Sequence, residues 1–344
     1  MKAIGYFESL PINAAESLLD LELPAPVAGP KDLLVEVAAI AVNPVDTKIR
    51  VGRKSADGKT PVVLGWDAVG IVRALGAEVE GFRVGDRVWY AGDITRPGSN
   101  AQLQAVDHRI AAHAPRRWSN AEAAALPLTA ITAWEMLFDR LQVQLKPNQP
   151  ASILVTGAGG GVGSILVQIA RQLAPHLTII ATASRPESAD WLKELGAHHV
   201  IDHSKPLAPQ IKALQTAQGA APVRFVASLT HTLEHYADIV EAIAPQGRLA
   251  LIDDMPANAL DLMVLKGKSI SLHWEMMFTR SLHQTDDIAE QGRLLAEVAR
   301  MADAGALRST VAAVLGPINA ETLKKAHAQL EGLHTRGKLV LEGF

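Results

Sequence analysis

The segment ILVTGAGGGVGSILVQIARQL, residues 153–173, places a glycine-rich turn between an apolar run and an amphipathic one. A turn of this kind lets backbone N–H groups approach a pyrophosphate, and the N-terminus of the following helix adds partial positive charge. The spacing meets the G-x-G-x-x-G pattern only in part: Ala158 stands first, followed by Gly160 and Gly163. Gly157 and Gly159 supply backbone freedom on either side of Ala158, and Gly161 and Val162 complete the loop. A glycine motif alone is a weak signal. Here it sits between a strand-like and a helix-like run and is followed by further strand-like runs, so dinucleotide binding outweighs a purely structural turn.

The second strand-like run decides which dinucleotide. An NAD site carries an acidic residue about 20 residues past the glycines, where it bonds the ribose 2′-OH. The run ends ATASRPES, with Ser184 and Arg185 at its end and no carboxylate before Glu187. A hydroxyl and a guanidinium suit a 2′-phosphate, which favours NADPH. The competing reading of Arg185 is a solvated loop residue.

These residues need two kinds of scaffold. Residues 1–115 read as short β-runs punctuated by Gly and Pro: KDLLVEVAAIAVN (31–43), PVVLGWDAVGIVRALG (61–76) and FRVGDRVWYAG (82–92). That is the pattern of a β-rich, barrel-like domain. SNAEAAALPLTAITAWEMLFDRL (119–141) predicts a helix opened by Ser119, with Glu122 three residues on as a capping box. Beyond it, strand-like runs at 177–184, 198–202, 224–229, 247–253 and 269–274 alternate with amphipathic segments. This alternation predicts parallel βαβ units, hence an α/β fold with a Rossmann-type doubly wound sheet. The tail predicts two helices, one in DDIAEQGRLLAEVARMADAG and one near 319–332, and a last strand, GKLVLE.

Composition narrows the class. The chain has 344 residues, enough for two domains, with 48% hydrophobic and 20% charged residues and a net charge of −3. Nothing in that balance recommends nucleic acid or an anionic membrane as partner. The N-terminus MKAIGYFESL lacks the apolar run of a signal peptide, and the glycines break the longest apolar segment before it could span a bilayer. The chain therefore reads as a soluble cytoplasmic protein. It has no cysteine, which excludes disulfides, thiol nucleophiles and every cysteine-ligated zinc site.

Taken together, the β-rich domain, the GAGGGVGS loop, LKELGAHHVID (192–202) and the return to the first domain resemble the medium-chain dehydrogenase/reductase superfamily over nearly the whole length. AVNPVDTKIR (41–50) is similar to the quinone oxidoreductase branch, where Asn-Pro-x-Asp stands in place of a zinc-branch cysteine followed three residues later by aspartate. The tail SISLHWEMMFTRSLHQTDD and GKLVLE is similar to bacterial proteins called zinc-type alcohol dehydrogenase-like. The resemblance implies a GroES-like catalytic domain over 1–124 and 275–344, and an NADP-binding Rossmann domain over 125–274. It places Asn43 and Asp46 in a loop beside the nicotinamide and Thr132 near the nicotinamide ribose. Lys48 is a candidate contact to substrate or phosphate. It also implies a homodimer formed along SISLHW.

The same resemblance maps the three catalytic zinc positions to Asn43, Trp66 and Leu128, none of which is a good ligand. Expected metal ligands are therefore none. Without a Lewis acid a secondary alcohol is hard to oxidise. Quinones and α,β-unsaturated carbonyls accept hydride into a conjugated system and leave an oxyanion that needs only hydrogen bonds. The expected activity is NADPH-dependent reduction of such small molecules. The alternatives are an NADPH-binding redox sensor or crystallin-like protein with little turnover, or an alcohol dehydrogenase. Candidate donors to the oxyanion are Asn43, Lys48 and the ribose 2′-OH, with Tyr90 behind them. Two further patterns have bland readings: HTLEH (231–235) matches an inverted zinc-protease motif but reads as a surface helix, and His198 and His199 are adjacent residues of a strand that face opposite ways.

Overall fold

The computed structural model describes residues 1–144, 149–332 and 335–344. They form two compact units, one of Met1–Ile131 with Phe278–Phe344, the other of Thr132–Met277. The chain thus crosses between units a few residues later than 124/125 and 274/275.

In the first unit, period-2 alternation builds the sheets. Strand Asp32–Ala41 buries residues on its inner face and is central to a seven-stranded sheet. Across that sheet lie Val311–Val314, Lys338–Glu342, Asp32–Ala41, Ala68–Leu75, Arg87–Tyr90 and Ala111–His113, with Leu103–Asp107 paired to Asp32–Ala41 as well. The last strand runs antiparallel to Asp32–Ala41, with Val340 opposite Ala41. On the other side Ala68 lies opposite Ile40. A separate three-stranded sheet joins Leu19–Glu22, Lys2–Tyr6 and Val62–Val63. Trp66, Trp89, Tyr6 and Tyr90 are among the largest fully buried side chains.

The second unit is a six-stranded, all-parallel sheet. Its order is His199–Ile201, Leu177–Thr182, Ala151–Thr156, Val223–Ser228, Ile243–Leu251 and Ser271–Trp274. In chain order this is third, second, first, fourth, fifth, sixth, the doubly wound Rossmann order. Strand Ala151–Thr156 is buried at every position, as a central parallel strand covered on both faces should be.

The expected helix over 119–141 is three pieces. Ser119 does cap the first, Asn120–Ala124, and shares a capping box with Glu122. Proline at 127 has no N–H and restricts the residue before it, so a new helix, Pro127–Trp134, starts there. A π-helical stretch, Glu135–Arg140, follows. Glu135 and Glu275 are both buried, and Arg140 bridges them. Burial and the neighbouring Glu135 carboxyl push the Glu275 carboxyl well up, against the Arg140 charge. Other boundaries moved less. His198 falls outside the strand, its Nδ1 accepting from Ile179 N–H at 2.9 Å and its Nε2 lying 2.9 Å from Arg171. Among the described residues no helix is long and apolar enough to cross a membrane.

Candidate active site

The glycine loop is built as its residue types require. Gly160 is the N-cap of helix Gly161–Leu173 and offers no side chain to its first turn. The orphan N–H groups there are left for an anion. Gly157 has φ of +65°, and a Cβ on it would meet Thr230 Cγ2 at 2.6 Å. A Cβ on Gly163 would meet Ala158 Cα at 2.4 Å, so only glycine lets the helix pack against the loop. Ala158 is buried, while Gly160, Gly161 and Val162 are partly exposed at the loop's rim. The loop ends the first strand of the sheet, at the switch point beside Val223–Ser228, where open α/β sheets bind ligands. These residues fit a dinucleotide, whose phosphates the loop and helix N-terminus would hold.

Ser184 and Arg185 are exposed just past the second strand, Leu177–Thr182, and Arg185 is the N-cap of helix Pro186–Glu194. Burial holds the His203 imidazole below its usual range, and Arg185 nearby adds to the effect. A hydroxyl chain escaped the sequence reading: Thr156 Oγ1 lies 3.1 Å from Ser228 Oγ, which lies 2.6 Å from Thr232 Oγ1, and Thr232 donates to Asp253. It ties the ends of two central strands to helix Thr232–Ala242. His231 precedes that helix with φ of +55° instead of sharing a face with His235, so HTLEH does not form a metal-ligating helix face. Thr132 is buried on helix Pro127–Trp134.

The second group of residues lies in the first unit, at one end of the seven-stranded sheet. Three adjacent strands each bring one polar side chain there: Asn43 follows Asp32–Ala41, Asp67 precedes Ala68–Leu75, and Lys338 opens Lys338–Glu342. All three are buried, at 2%, 0% and 4% exposure. Lys338 Nζ donates to Asp67 Oδ2 at 2.8 Å and to Asn43 Oδ1. Asn43 Nδ2 donates to Asp67 Oδ2 at 2.8 Å. Asp67 Oδ1 accepts the N–H of Leu128 at 2.7 Å, one of the orphan donors at the start of helix Pro127–Trp134. Burial pushes the Asp67 carboxyl up. Three donors nonetheless converge on it and none can accept a proton, so we read it as ionised.

Asp46 joins this group through Asn43, whose backbone N–H donates to Asp46 Oδ2 at 2.7 Å. Asp46 is 1% exposed and its Oδ1 has no hydrogen-bond partner among the described residues. Burial pushes its carboxyl up to about 7, against the Asn43 N–H and the Lys338 charge, which pull it down. Asn43 is the N-cap of helix Pro44–Gly52, and its carboxamide bonds Lys338 and Asp67. Lys48 stands apart, exposed on that helix. Tyr90 ends strand Arg87–Tyr90, is 1% exposed, and burial raises its phenol.

The three would-be zinc positions do meet here, since Asn43 and the Leu128 N–H both bond Asp67, the neighbour of Trp66. They do not fit a metal. Trp66 is a core indole, 1% exposed, edge-on to Phe278 at 6.0 Å. Leu128 has no donor side chain, and an ammonium already occupies the oxygens of Asn43 and Asp67. Among the described residues no cluster of three His, Cys, Asp or Glu could hold an ion.

Residues 29–115 match the alcohol dehydrogenase GroES-like domain family, and residues 195–341 match the zinc-binding dehydrogenase family. The chain is 37% identical to a zinc-type alcohol dehydrogenase-like protein of Staphylococcus aureus (strain COL), covering 99% of each. It is 36% identical over 214 residues to 2-methylene-furan-3-one reductase of Solanum lycopersicum, covering 60% of this chain and 53% of that one. The crystal structure of a putative zinc-dependent alcohol dehydrogenase protein from Rhizobium etli CFN 42 superposes with a TM-score of 0.95 at 53% identity, covering 100% of this chain and 98% of that one. The chain belongs to the medium-chain dehydrogenase/reductase superfamily.

Proposed function

We propose that this oxidoreductase uses NADPH to reduce quinones or α,β-unsaturated carbonyls, without zinc. The observation that carries the reading is the Lys338 ammonium on Asn43 and Asp67, at the locus where the zinc branch needs open ligands. Without a Lewis acid a secondary alcohol is the harder substrate to oxidise. The tomato relative's name supports the reading, because a 2-methylene-furan-3-one is a conjugated enone. Held by the loop at 157–163, NADPH would supply a hydride that an enone would accept at its β-carbon, its electron pair passing to oxygen and a proton coming from water. The chain's part is to hold the phosphates at 157–163, to select the 2′-phosphate with Ser184 and Arg185, and to donate to the developing oxyanion from Asn43.

NADPH oxidation with a panel of quinones and enones, after exhaustive chelation, tests this directly. Undiminished turnover is expected; activity that vanishes with chelator and returns with zinc refutes it, and binding without turnover favours the sensor reading. Arg185→Ala is expected to weaken NADPH roughly 10–150-fold, the scale of a charged hydrogen bond, and to leave NADH unchanged. Equal loss of both cofactors would sink the 2′-phosphate assignment.

A second copy of the chain completes the proposal. Strand Ser271–Trp274 is the outer strand of its sheet. Trp274 and Met276 nearby are 56% and 47% exposed, and Met263 is 67% exposed. An edge strand unpaired among the described residues, with exposed apolar side chains at its end, favours strand pairing between protomers. Light scattering at micromolar concentration is expected to give the dimer mass, and a monomer mass counts against it.

A further inference from the structure

A lysine buried to 4% exposure between an amide and a carboxylate needs a reason. Its pairing with Asp67 balances one charge, but an isosteric apolar pair would fill the same space without desolvating two ions. What the apolar pair could not do is fix the carboxamide of Asn43. Lysine has only donors and the Asp67 carboxylate only acceptors. Between them Asn43 has a single satisfactory orientation, with Oδ1 to Lys338 and Nδ2 to Asp67. The flipped amide would set NH2 against ammonium and oxygen against carboxylate.

We propose that Lys338 is a positioning residue for hydride transfer, acting through Asn43. The inference rests on the reading that Asn43 donates to the oxyanion. An ammonium on Oδ1 draws electron density out of the amide and strengthens both Nδ2–H donors. One of these is used on Asp67 at 2.8 Å, and the other has only a long contact of 3.5 Å to Ala41 O. That second hydrogen is the one left for an acceptor. The strand register makes this placement reproducible. With Val340 opposite Ala41 in an antiparallel pair, Lys338 falls across from Asn43. The arrangement thus fixes the Asn43 carboxamide from a strand 295 positions away in sequence.

The test uses the full chain with two variants. Lys338→Met alone strands the Asp67 carboxylate and is expected to unfold more readily. Lys338→Met/Asp67→Leu removes both charges and keeps an apolar filling. In that folded double variant NADPH dissociation constants are expected within about 3-fold of wild type. The kcat for a quinone or enone is expected to fall roughly 30–300-fold with the acceptor KM little changed. A purely structural lysine predicts wild-type kcat once the fold is restored, and that result overturns the proposal. In the wild-type chain the geometry also requires a lysine ammonium 15N resonance protected from solvent exchange at pH 8. Its absence overturns the proposal even if the variants do not fold. A wild-type enzyme inactive on the whole panel defeats the functional reading instead, while the protected ammonium would still stand.

Discussion

Asn43→Ala is expected to lower kcat/KM for quinones and enones by roughly 10–1000-fold. The variant loses the carboxamide that bonds both Lys338 and Asp67 and whose second N–H makes only a long contact of 3.5 Å to Ala41 O. Its NADPH affinity should change much less, since the phosphates and 2′-phosphate are assigned to the loop at 157–163 and to Arg185. The loss also has a structural part. Removing the carboxamide takes away the bonds it makes to Asp67 and Lys338, a cost of about 1–3 kcal/mol for buried groups left short of partners. Urea unfolding alongside steady-state kinetics separates the two effects. A folded Asn43→Ala enzyme with unchanged kinetics on every active substrate removes Asn43 from the mechanism and takes the role assigned to Lys338 with it.

The sequence made some of this site readable and hid the rest, for a physical reason. The glycine loop, the Ser119 capping box and the end of the second strand are local features, each set by residues within a few positions of one another. Their chemistry survives reading along the chain. The buried cluster is not local: Lys338 meets Asn43 across 295 positions of sequence, and Asp67 meets Leu128 across 61. In GKLVLE a lysine at the mouth of a strand looks like a solvated end, and only the register against Asp32–Ala41 turns it inward. In VVLGWDAVGIV attention falls on Trp66 because it stands where a ligand is missed. Its neighbour Asp67 does the bonding. One signal was present: a carboxylate between two apolar runs, bound for a buried strand, must find a cation or several donors. Lys48 shows the converse, a lysine close in sequence to Asn43 that helix geometry turns outward to solvent. His327 was equally silent, a histidine on an ordinary amphipathic helix that the fold buries completely.

Between pH 4.5 and 6.5 the stability of the first unit is expected to be flatter in the wild type than in either of two single variants. Asp46 is pushed up to about 7, chiefly by burial. Its folded value lies above the unfolded value near 3.9, so its contribution is fully present below about pH 4 and is lost as the pH rises toward 7. His327 is pushed down to about 3 by burial and by the Arg50 charge, and neither ring nitrogen has a hydrogen-bond partner among the described residues. Its folded value lies below the unfolded value near 6.5, so its contribution is fully present above about pH 6.5 and is lost as the pH falls toward 3. Within the shared window each group changes stability by about 1.4 kcal/mol per pH unit, with opposite sign. Asp46→Asn keeps an oxygen for the Asn43 N–H and leaves the histidine slope alone. That variant is expected to lose about 2–3 kcal/mol, relative to wild type, on going from pH 6.5 to 4.5. His327→Leu leaves the aspartate slope alone and is expected to gain about the same amount over the same interval. Urea unfolding followed by hydrogen exchange at the amides of strand Asp32–Ala41 follows this unit. Curves for the variants that run parallel to wild type would mean that neither group changes its proton affinity on folding, and that Asp46 is an ordinary carboxylate despite its burial.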